Sequence, residues 1–142
     1  MTVALIYLCE FIEDCEYNNL AVRVLHLLGT EGPKTSKPTK YIRYIYNCVV
    51  LENAIVRAAA VTALAKFGAE VDKDSSIRAN IKVLLTRCLD DLDDEVRDRA
   101  AVNLKFLEDE DISAKFIRNS ISTSDLNKTK ISFHVFSPSF GT

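Results

Sequence analysis

The sequence predicts an all-α protein made of stacked helical hairpins, and two observations support this fold class. Apolar residues recur at the three- and four-residue spacing of one helix face in six segments of the first 108 residues. In addition, the pattern of residues 53–67 recurs in residues 93–107, a displacement of 40. A period near 40 with two helices per unit is typical of HEAT and armadillo repeats. We therefore predict an α-solenoid of about three HEAT/armadillo-like hairpins, 2–30, 41–67 and 77–107, followed by a poorly ordered C-terminal tail.

The first predicted hairpin joins two helices of different character. Residues 2–13 are apolar on most sides, as expected of a helix covered by neighbours. Asn18 or Asn19 is expected to cap the second helix, which should end at or soon after Gly29. Its predicted core face comprises Leu20, Val24, Leu27 and Leu28. Residues 32–40 contain two prolines and several small polar residues, so we predict a loop there.

The second predicted hairpin contains a helix over about 41–50 and another over about 54–67. The first of these should bury Tyr41, Ile42, Ile45, Cys48 and Val49. Asn53 is expected to cap the second, because a side-chain oxygen there can accept a hydrogen bond from the first turn. Gly68 stands where a left-handed C-terminal cap is expected.

The third predicted hairpin begins with a helix capped by Ser75 or Ser76. This helix should bury Ile77, Ile81, Leu84, Leu85, Cys88 and Leu89. Asp93 or Asp94 is expected to cap the last helix, whose first turn contains Glu95. A negative charge is favourable there because of the helix dipole.

The internal repeat supplies the candidate structural residues. We predict that equivalent core positions, 40 residues apart, are Val56 and Val96, Ala60 and Ala100, Leu64 and Leu104, and Phe67 and Leu107. The equivalent turn positions are Asn53 and Asp93, which are the expected caps, and Arg57 and Arg97. A single hairpin cannot bury its apolar face alone, so successive hairpins should stack and cover one another.

Composition and charge limit the possible functions. The 142 residues are 48% hydrophobic, which is typical of a globular domain. The 18 basic and 20 acidic residues give a net charge of −2, so we expect no nucleic-acid partner and no direct attraction to anionic membranes. The longest uncharged apolar run, 3–9, is far too short to span a bilayer. We therefore expect a soluble intracellular protein whose four cysteines are reduced and mostly buried.

No motif in the sequence indicates catalysis. There is no G-x-S-x-G, P-loop or dinucleotide-binding turn, and two histidines are too few for a zinc site, so we expect no enzyme activity, cofactor or metal. The acidic residues of 91–98 are interpreted as a solvated helix cap. A basic cluster interleaved with tyrosines, comprising Lys34, Lys37, Lys40, Arg43, Tyr41 and Tyr44, could contact phosphate or an acidic partner. A solvated, flexible loop carrying lysines is the favoured interpretation.

Several stretches resemble the coatomer gamma-subunit family, in the later part of its adaptin-type helical trunk. They are LIYLCEFIEDCE (5–16), LHLLGTEGPKT (25–35), KYIRYIYNCVVLENAIVRAAAVTALAKFGA (40–69) and LLTRCLDDLDDEVRDRA (84–100). The resemblance covers about 1–108, departs at Cys48, where a basic residue is expected, and ends near residue 110. It implies a trunk segment over 1–110, and we expect 111–142 to form a short helix and a disordered tail. We also expect the chain to be a fragment, a splice product or a gene-model truncation.

The resemblance implies a structural role in intracellular protein transport. The family's trunk is a scaffold in the coat of vesicles that move between the Golgi and the endoplasmic reticulum and within the Golgi. The implied partners are other coatomer subunits, including the small subunit, and an Arf-type GTPase acting through the intact coat. Membrane association would then be indirect, with the protein cytoplasmic and peripheral on Golgi membranes and vesicles. The alternative is a general HEAT-repeat adaptor of the transport-receptor or phosphatase-scaffold type.

Overall fold

The computed structural model describes the backbone of residues 2–122 and the side chains of residues 3–115. The helices, in chain order, are α1 Thr2–Glu13, α2 Asn18–Glu31, α3 Pro38–Leu51, α4 Ala54–Glu70, α5 Ser76–Arg87 and α6 Asp94–Ser122. Two short 3-10 helices, Gly32–Lys34 and Cys88–Asp90, follow α2 and α5. Within the described range every regular element is helical, which confirms the all-α fold class. No helix in this range is both long enough and apolar enough to cross a membrane.

The chain divides into two compact units, and the boundary in the sequence falls within α6, between Leu107 and Glu108. The first contains α1 to α5 and the start of α6, and it holds the apolar core. The described part of the second, residues 108–122, is the continuation of α6. The division that we predict near residue 110 stays a prediction. The predicted disorder of the tail concerns mainly residues 123–142, which lie outside the described part of the chain.

Side-chain caps begin three of the helices at the positions that the sequence predicts. The backbone N–H of Val56 donates to Oδ1 of Asn53 at 3.2 Å. At the start of α6 the N–H of Val96 donates to Oδ1 of Asp93 at 3.1 Å. The start of α5 is capped in the same way by Ser75, whose hydroxyl oxygen accepts a hydrogen bond at 3.2 Å from the backbone N–H of Arg78. Each cap satisfies one of the backbone donors that a helix N-terminus leaves without a partner.

The predicted cap of α2 is wrong. Its N-cap residue is Tyr17, which makes no side-chain capping bond, and Asn18 is already the first helical residue. The reason lies in the neighbouring turn, because Oδ1 of Asn18 accepts a hydrogen bond at 2.8 Å from Nδ2 of Asn53. Its amide oxygen therefore links two hairpins instead of capping its own helix.

The core face of α2 is also different from the predicted one. Val24 and Leu28 are buried as expected, but Leu20 and Leu27 are 41% and 39% exposed. The buried residues of this helix are Ala21, Val24, Leu25, Leu28 and Gly29. A Cβ atom on Gly29 would lie 2.9 Å from the backbone oxygen of Ala63, so α2 and α4 approach closely through small residues. This close contact places Gly29 against α4, and Leu20 and Leu27 remain partly exposed.

Gly68 is not a left-handed cap, because α4 continues through it to Glu70. A Cβ atom at this position would lie 3.0 Å from Cγ2 of Ile81 and 3.4 Å from Cδ1 of Leu107. The glycine therefore allows α5 and α6 to pack closely on the end of α4. A glycine near the predicted end of a helix has here a packing role, which the sequence pattern alone does not distinguish from a cap.

Helix α3 buries all five predicted residues, but it starts earlier than predicted, at Pro38. The predicted loop 32–40 is accordingly wrong in part, since it holds a 3-10 turn and the first turn of α3. Proline suits the first position of a helix because its fixed φ is helical and no N–H is needed there. The six predicted core residues of the α5 region are buried to different degrees. Ile81, Leu85 and Cys88 are buried, whereas Ile77, Leu84 and Leu89 are only partly buried.

All four cysteines are free thiols, and Cys9, Cys48 and Cys88 are buried. Burial in the apolar core raises the pKa of Cys9 and Cys88 to about 11 and that of Cys48 to about 12. Thiolate is the reactive and metal-binding form, so burial keeps these three thiols in their inert form. Cys15, in the turn between α1 and α2, is half-buried and donates to the carbonyl of Tyr17 at 3.4 Å.

Candidate functional site

The turns α3–α4 and α5–α6 are joined by a pair of charged side chains. Arg57, in the first turns of α4, donates from Nε to Oδ2 of Asp91 at 3.1 Å and from Nη2 to Oδ1 at 2.8 Å. This is a two-bond contact in which the planar guanidinium matches the carboxylate. We call the group formed by Arg57, Asp91, Asp93 and Arg97 the inter-repeat clasp.

The Arg57–Asp91 pair is largely shielded from water, since the two side chains are 19% and 13% exposed. The hydrogen bonds from Arg57 lower the pKa of Asp91 below its usual 3.8, and the same bonds raise the pKa of Arg57. The third terminal group of Arg57, Nη1, donates to the backbone oxygen of Glu52 at 3.1 Å. Both partners are thus charged, fixed and hydrogen-bonded, which suits a structural contact between hairpins.

Asp91 is also bonded to its own turn. Its Oδ1 accepts a hydrogen bond from the backbone N–H of Asp93 at 2.9 Å, and its backbone oxygen accepts from Nη1 of Arg97 at 2.7 Å. Arg97 also forms an ion pair with Asp94, whose side chain is 86% exposed. We predicted that the acidic residues of 91–98 form a solvated helix cap. For Asp91 this prediction is wrong, because its side chain is mostly buried and bonded to Arg57. It is the residue on which the clasp converges.

The two predicted turn arginines have comparable local roles but different reach. Each follows its helix cap by four residues, and each donates to a backbone oxygen of the preceding turn. Arg57 also contacts the next hairpin through Asp91, whereas the ion pair of Arg97 stays within its own helix. The turn residue Asn53 extends the linkage in the other direction through its bond to Asn18. Polar side chains thus connect the turns α1–α2, α3–α4 and α5–α6, which are the turns within the three successive hairpins.

The predicted repeat-core positions lie as follows. Seven of the eight are buried, namely Val56, Ala60, Leu64, Phe67, Val96, Ala100 and Leu107. The exception, Leu104, is only partly buried against the core, although the repeat places it opposite Leu64. The functional equivalence of these positions stays a prediction, and Leu104 is where the burial differs.

Sequence reasoning missed Arg78, which is 1% exposed on α5. Its Nη1 donates to the backbone oxygen of Gly68 at 2.8 Å and its Nη2 to that of Leu107 at 3.1 Å. It therefore ties the end of α4 to α6 from within the core. A signal was present, because residue 78 precedes Ile81 by three and Leu85 by seven, the spacing of a single helix face.

The arrangement is suited to holding hairpins in register rather than to chemistry on a substrate. Its charged groups bond to one another and to backbone oxygens. Among the residues that the structure describes, no three histidine, cysteine or acidic side chains are grouped so that they could hold a metal ion.

Comparison with known protein families shows which family has this architecture. The family model for the adaptin N terminal region matches residues 2–111, which include the whole inter-repeat clasp. The chain belongs to the adaptin N-terminal region family. In an adaptin N-terminal segment, the clasp and the repeat core are parts of one stacked-helix scaffold.

The curated relatives of this adaptin segment are coat subunits, and they confirm the resemblance to the coatomer gamma-subunit family. A probable coatomer subunit gamma of Schizosaccharomyces pombe is 64% identical over 108 residues, 76% of this chain and 12% of the relative. Coatomer subunit gamma-1 of Oryza sativa subsp. japonica is 62% identical over 108 residues, with the same coverage of both chains. Coatomer subunit gamma-2 of Homo sapiens is 56% identical over 122 residues, 84% of this chain and 14% of the relative. The chain thus spans only about an eighth of the length of these relatives.

Proposed function

We propose that this chain is a scaffold segment of the coatomer vesicle coat. The observation that carries the proposal is the 64% identity over 108 residues to a protein named as a coatomer gamma subunit, in the same region that the adaptin family model matches. Its role would be in intracellular protein transport between the Golgi and the endoplasmic reticulum and within the Golgi.

The proposed partners are the other coatomer subunits, including the small subunit. An Arf-type GTPase would act on this segment through the intact coat, and membrane association would be indirect. In this role the chain is cytoplasmic and peripheral on Golgi membranes and coated vesicles. A structural role without catalysis fits a site in which the charged groups are used to connect hairpins. The general HEAT-repeat adaptor is not favoured, because the relatives are coat subunits.

The proposal can be tested by affinity purification. A tagged form of the complete 142-residue chain is expressed in cultured cells, and the proteins that co-purify with it are quantified by mass spectrometry. We expect coatomer subunits to be enriched over a tagged helical-repeat protein of similar size. Leu64→Ala serves as a folding control, because emptying this fully buried position should weaken the solenoid and reduce the enrichment.

Two results would count against the proposal. One is recovery of transport-receptor or phosphatase components without coatomer subunits, which would favour the general adaptor. The other is equal enrichment of coatomer subunits by the helical-repeat control, which would show that their recovery does not depend on this sequence.

A further inference from the structure

A recess of about 390 Å³ lies between the start of α3 and the start of α5. Three cationic side chains, Lys37, Lys40 and Arg43, line it together. The other lining residues are Ser36, Pro38, Thr39 and Ile77. We call this surface the basic recess. Lys40 and Arg43 lie on one side of α3 because they are three residues apart, and Lys37 is the residue just before that helix.

The charge distribution of the chain makes this surface distinct. Residues 32–51 contain four basic residues and no acidic residue. The remaining 14 basic residues are outnumbered by 20 acidic ones, so the rest of the chain has a net charge of −6. The small overall charge of −2 therefore conceals a local positive patch on an otherwise acidic molecule.

The backbone that carries Lys40 and Arg43 is helical, so the predicted lysine-bearing loop is wrong for Lys40. Helix α3 begins at Pro38, so Lys40 and Arg43 are helical residues. Tyr41, between them, is 1% exposed and anchors this turn in the core. On the preceding side Gly32 is buried, and a Cβ atom there would lie 2.4 Å from Cε2 of Phe67.

Lys37, Lys40 and Arg43 take no part in the ion pairs that the structure describes. Lys34 has a carboxylate oxygen of Glu31 at 3.5 Å, and Arg57 and Arg99 pair with acidic side chains as well. Among the described residues, no carboxylate lies within 4 Å of the charged nitrogens of Lys37, Lys40 or Arg43. The first turn of α3 contains no acidic residue to offset the positive end of its dipole. The recess therefore presents three positive charges that form no ion pair with the described part of the chain.

We propose that the basic recess binds an acidic segment of a partner protein, with Asp or Glu carboxylates placed against Lys37, Lys40 and Arg43. The hydroxyl groups of Ser36 and Thr39 can donate additional hydrogen bonds to such a ligand. A concave recess matches a narrow polypeptide better than a flat bilayer, and among the described residues its only large apolar lining residue is Ile77. No aromatic side chain of the described part of the chain lines it to stack on a nucleic-acid base. The proposal concerns a surface separate from the inter-repeat clasp and does not depend on the coat assignment.

The test uses the complete chain and a fluorescein-labelled peptide of alternating Glu and Ser residues. Binding is followed by fluorescence polarisation at low and at moderate salt, with the same peptide carrying Gln in place of Glu as the probe control. The test variant is Lys37→Gln/Lys40→Gln/Arg43→Gln. The matched control is Arg23→Gln/Arg87→Gln/Lys115→Gln, which removes three exposed cations from other helices. Circular dichroism melting of each variant checks that the fold is retained.

We expect the acidic peptide to bind the native chain, to bind more weakly as salt increases, and to lose about tenfold in affinity with the test variant. The control variant should change the affinity less than about twofold. Equal losses in the two variants would overturn the proposal, because binding would then follow net charge alone. No difference between the Glu and Gln peptides would also overturn it. Stronger binding to vesicles of phosphatidylcholine and phosphatidylserine than to the peptide, abolished by the test variant, would assign the recess to a membrane instead.

Discussion

The guanidinium of Arg57 and the carboxylate of Asp91 meet across 34 residues of sequence through two hydrogen bonds of 3.1 and 2.8 Å. The contact joins the turn of one hairpin to the turn of the next. Since both side chains are mostly shielded from water, losing this contact should lower the free energy of unfolding more than losing a surface ion pair. The predictions below concern this contact first and then the packing around it.

Replacing Arg57 with Gln should lower the free energy of unfolding by about 1–3 kcal/mol, because Asp91 would keep its burial and lose a charged donor. The matched change Arg97→Gln should cost less, about 1 kcal/mol, since Arg97 has one bond to the backbone oxygen of Asp91 and an ion pair with Asp94 that is exposed to solvent. Urea unfolding followed by circular dichroism measures both. Equal effects of the two substitutions would contradict the assignment of Arg57 as the inter-repeat contact.

The lowered pKa of Asp91 predicts a dependence of stability on pH. A carboxyl group whose pKa is lower in the folded than in the unfolded chain stabilises the fold fully above its unfolded value, here near 3.8. That contribution is lost as pH falls through the lowered folded-state pKa. Asp91→Asn should therefore destabilise the chain at about pH 7, and its effect should become smaller as the pH falls well below 3.8.

Urea unfolding at a series of pH values tests this expectation. The exposed residue Asp98 provides the control, because Asp98→Asn removes a carboxyl from the same helix region without touching the clasp. A destabilisation by Asp91→Asn that is the same at acid and neutral pH would mean that the charge of Asp91 is not what stabilises the fold.

The repeat positions Leu64 and Leu104 should respond differently to truncation. Leu64 is fully buried, so Leu64→Ala should cost about 2–5 kcal/mol through lost burial and the cavity left behind. Leu104 is only partly buried, so Leu104→Ala should cost less, even though the sequence repeat makes the two equivalent. Chemical denaturation measures the difference. Equal costs would mean that the repeat, rather than the observed burial, describes position 104.

Two helical glycines provide a matched test of close packing. Alanine normally stabilises a helix relative to glycine by about 1 kcal/mol. At Gly29 the new Cβ would meet the backbone oxygen of Ala63 at 2.9 Å, so Gly29→Ala should destabilise by about 1–3 kcal/mol. At Gly68 the nearest atom is a side-chain methyl of Ile81 at 3.0 Å, which can move. Gly68→Ala should therefore stay within about 1 kcal/mol of the native chain.

Thermal melting of the two glycine variants, with unfolding free energies from urea titration, distinguishes these outcomes. A stabilising Gly29→Ala would show that α2 and α4 are not in close backbone contact. If Gly68→Ala is strongly destabilising, the side chain of Ile81 cannot move to make room for the added Cβ atom.

Local sequence signals determined where most helices lie and how several of them start. The caps Asn53, Ser75 and Asp93 are readable because each side chain bonds to the backbone three residues later in its own helix. Helical periodicity likewise identified the core face of α3, whose inward residues follow from spacing within one helix. The internal repeat identified the fold class, since a fixed period of two-helix units has few other solutions.

Tertiary structure decided the features that depend on a neighbouring helix. Gly68 has a cap signal in the sequence, yet its role is set by Ile81, which packs against it. Asp91 is one acidic residue among several near the start of α6, and only the position of Arg57 distinguishes it. Propensity and periodicity describe each helix by itself, whereas close approach and ion pairing depend on where the next hairpin is placed, which is why the sequence alone left these contacts undetermined.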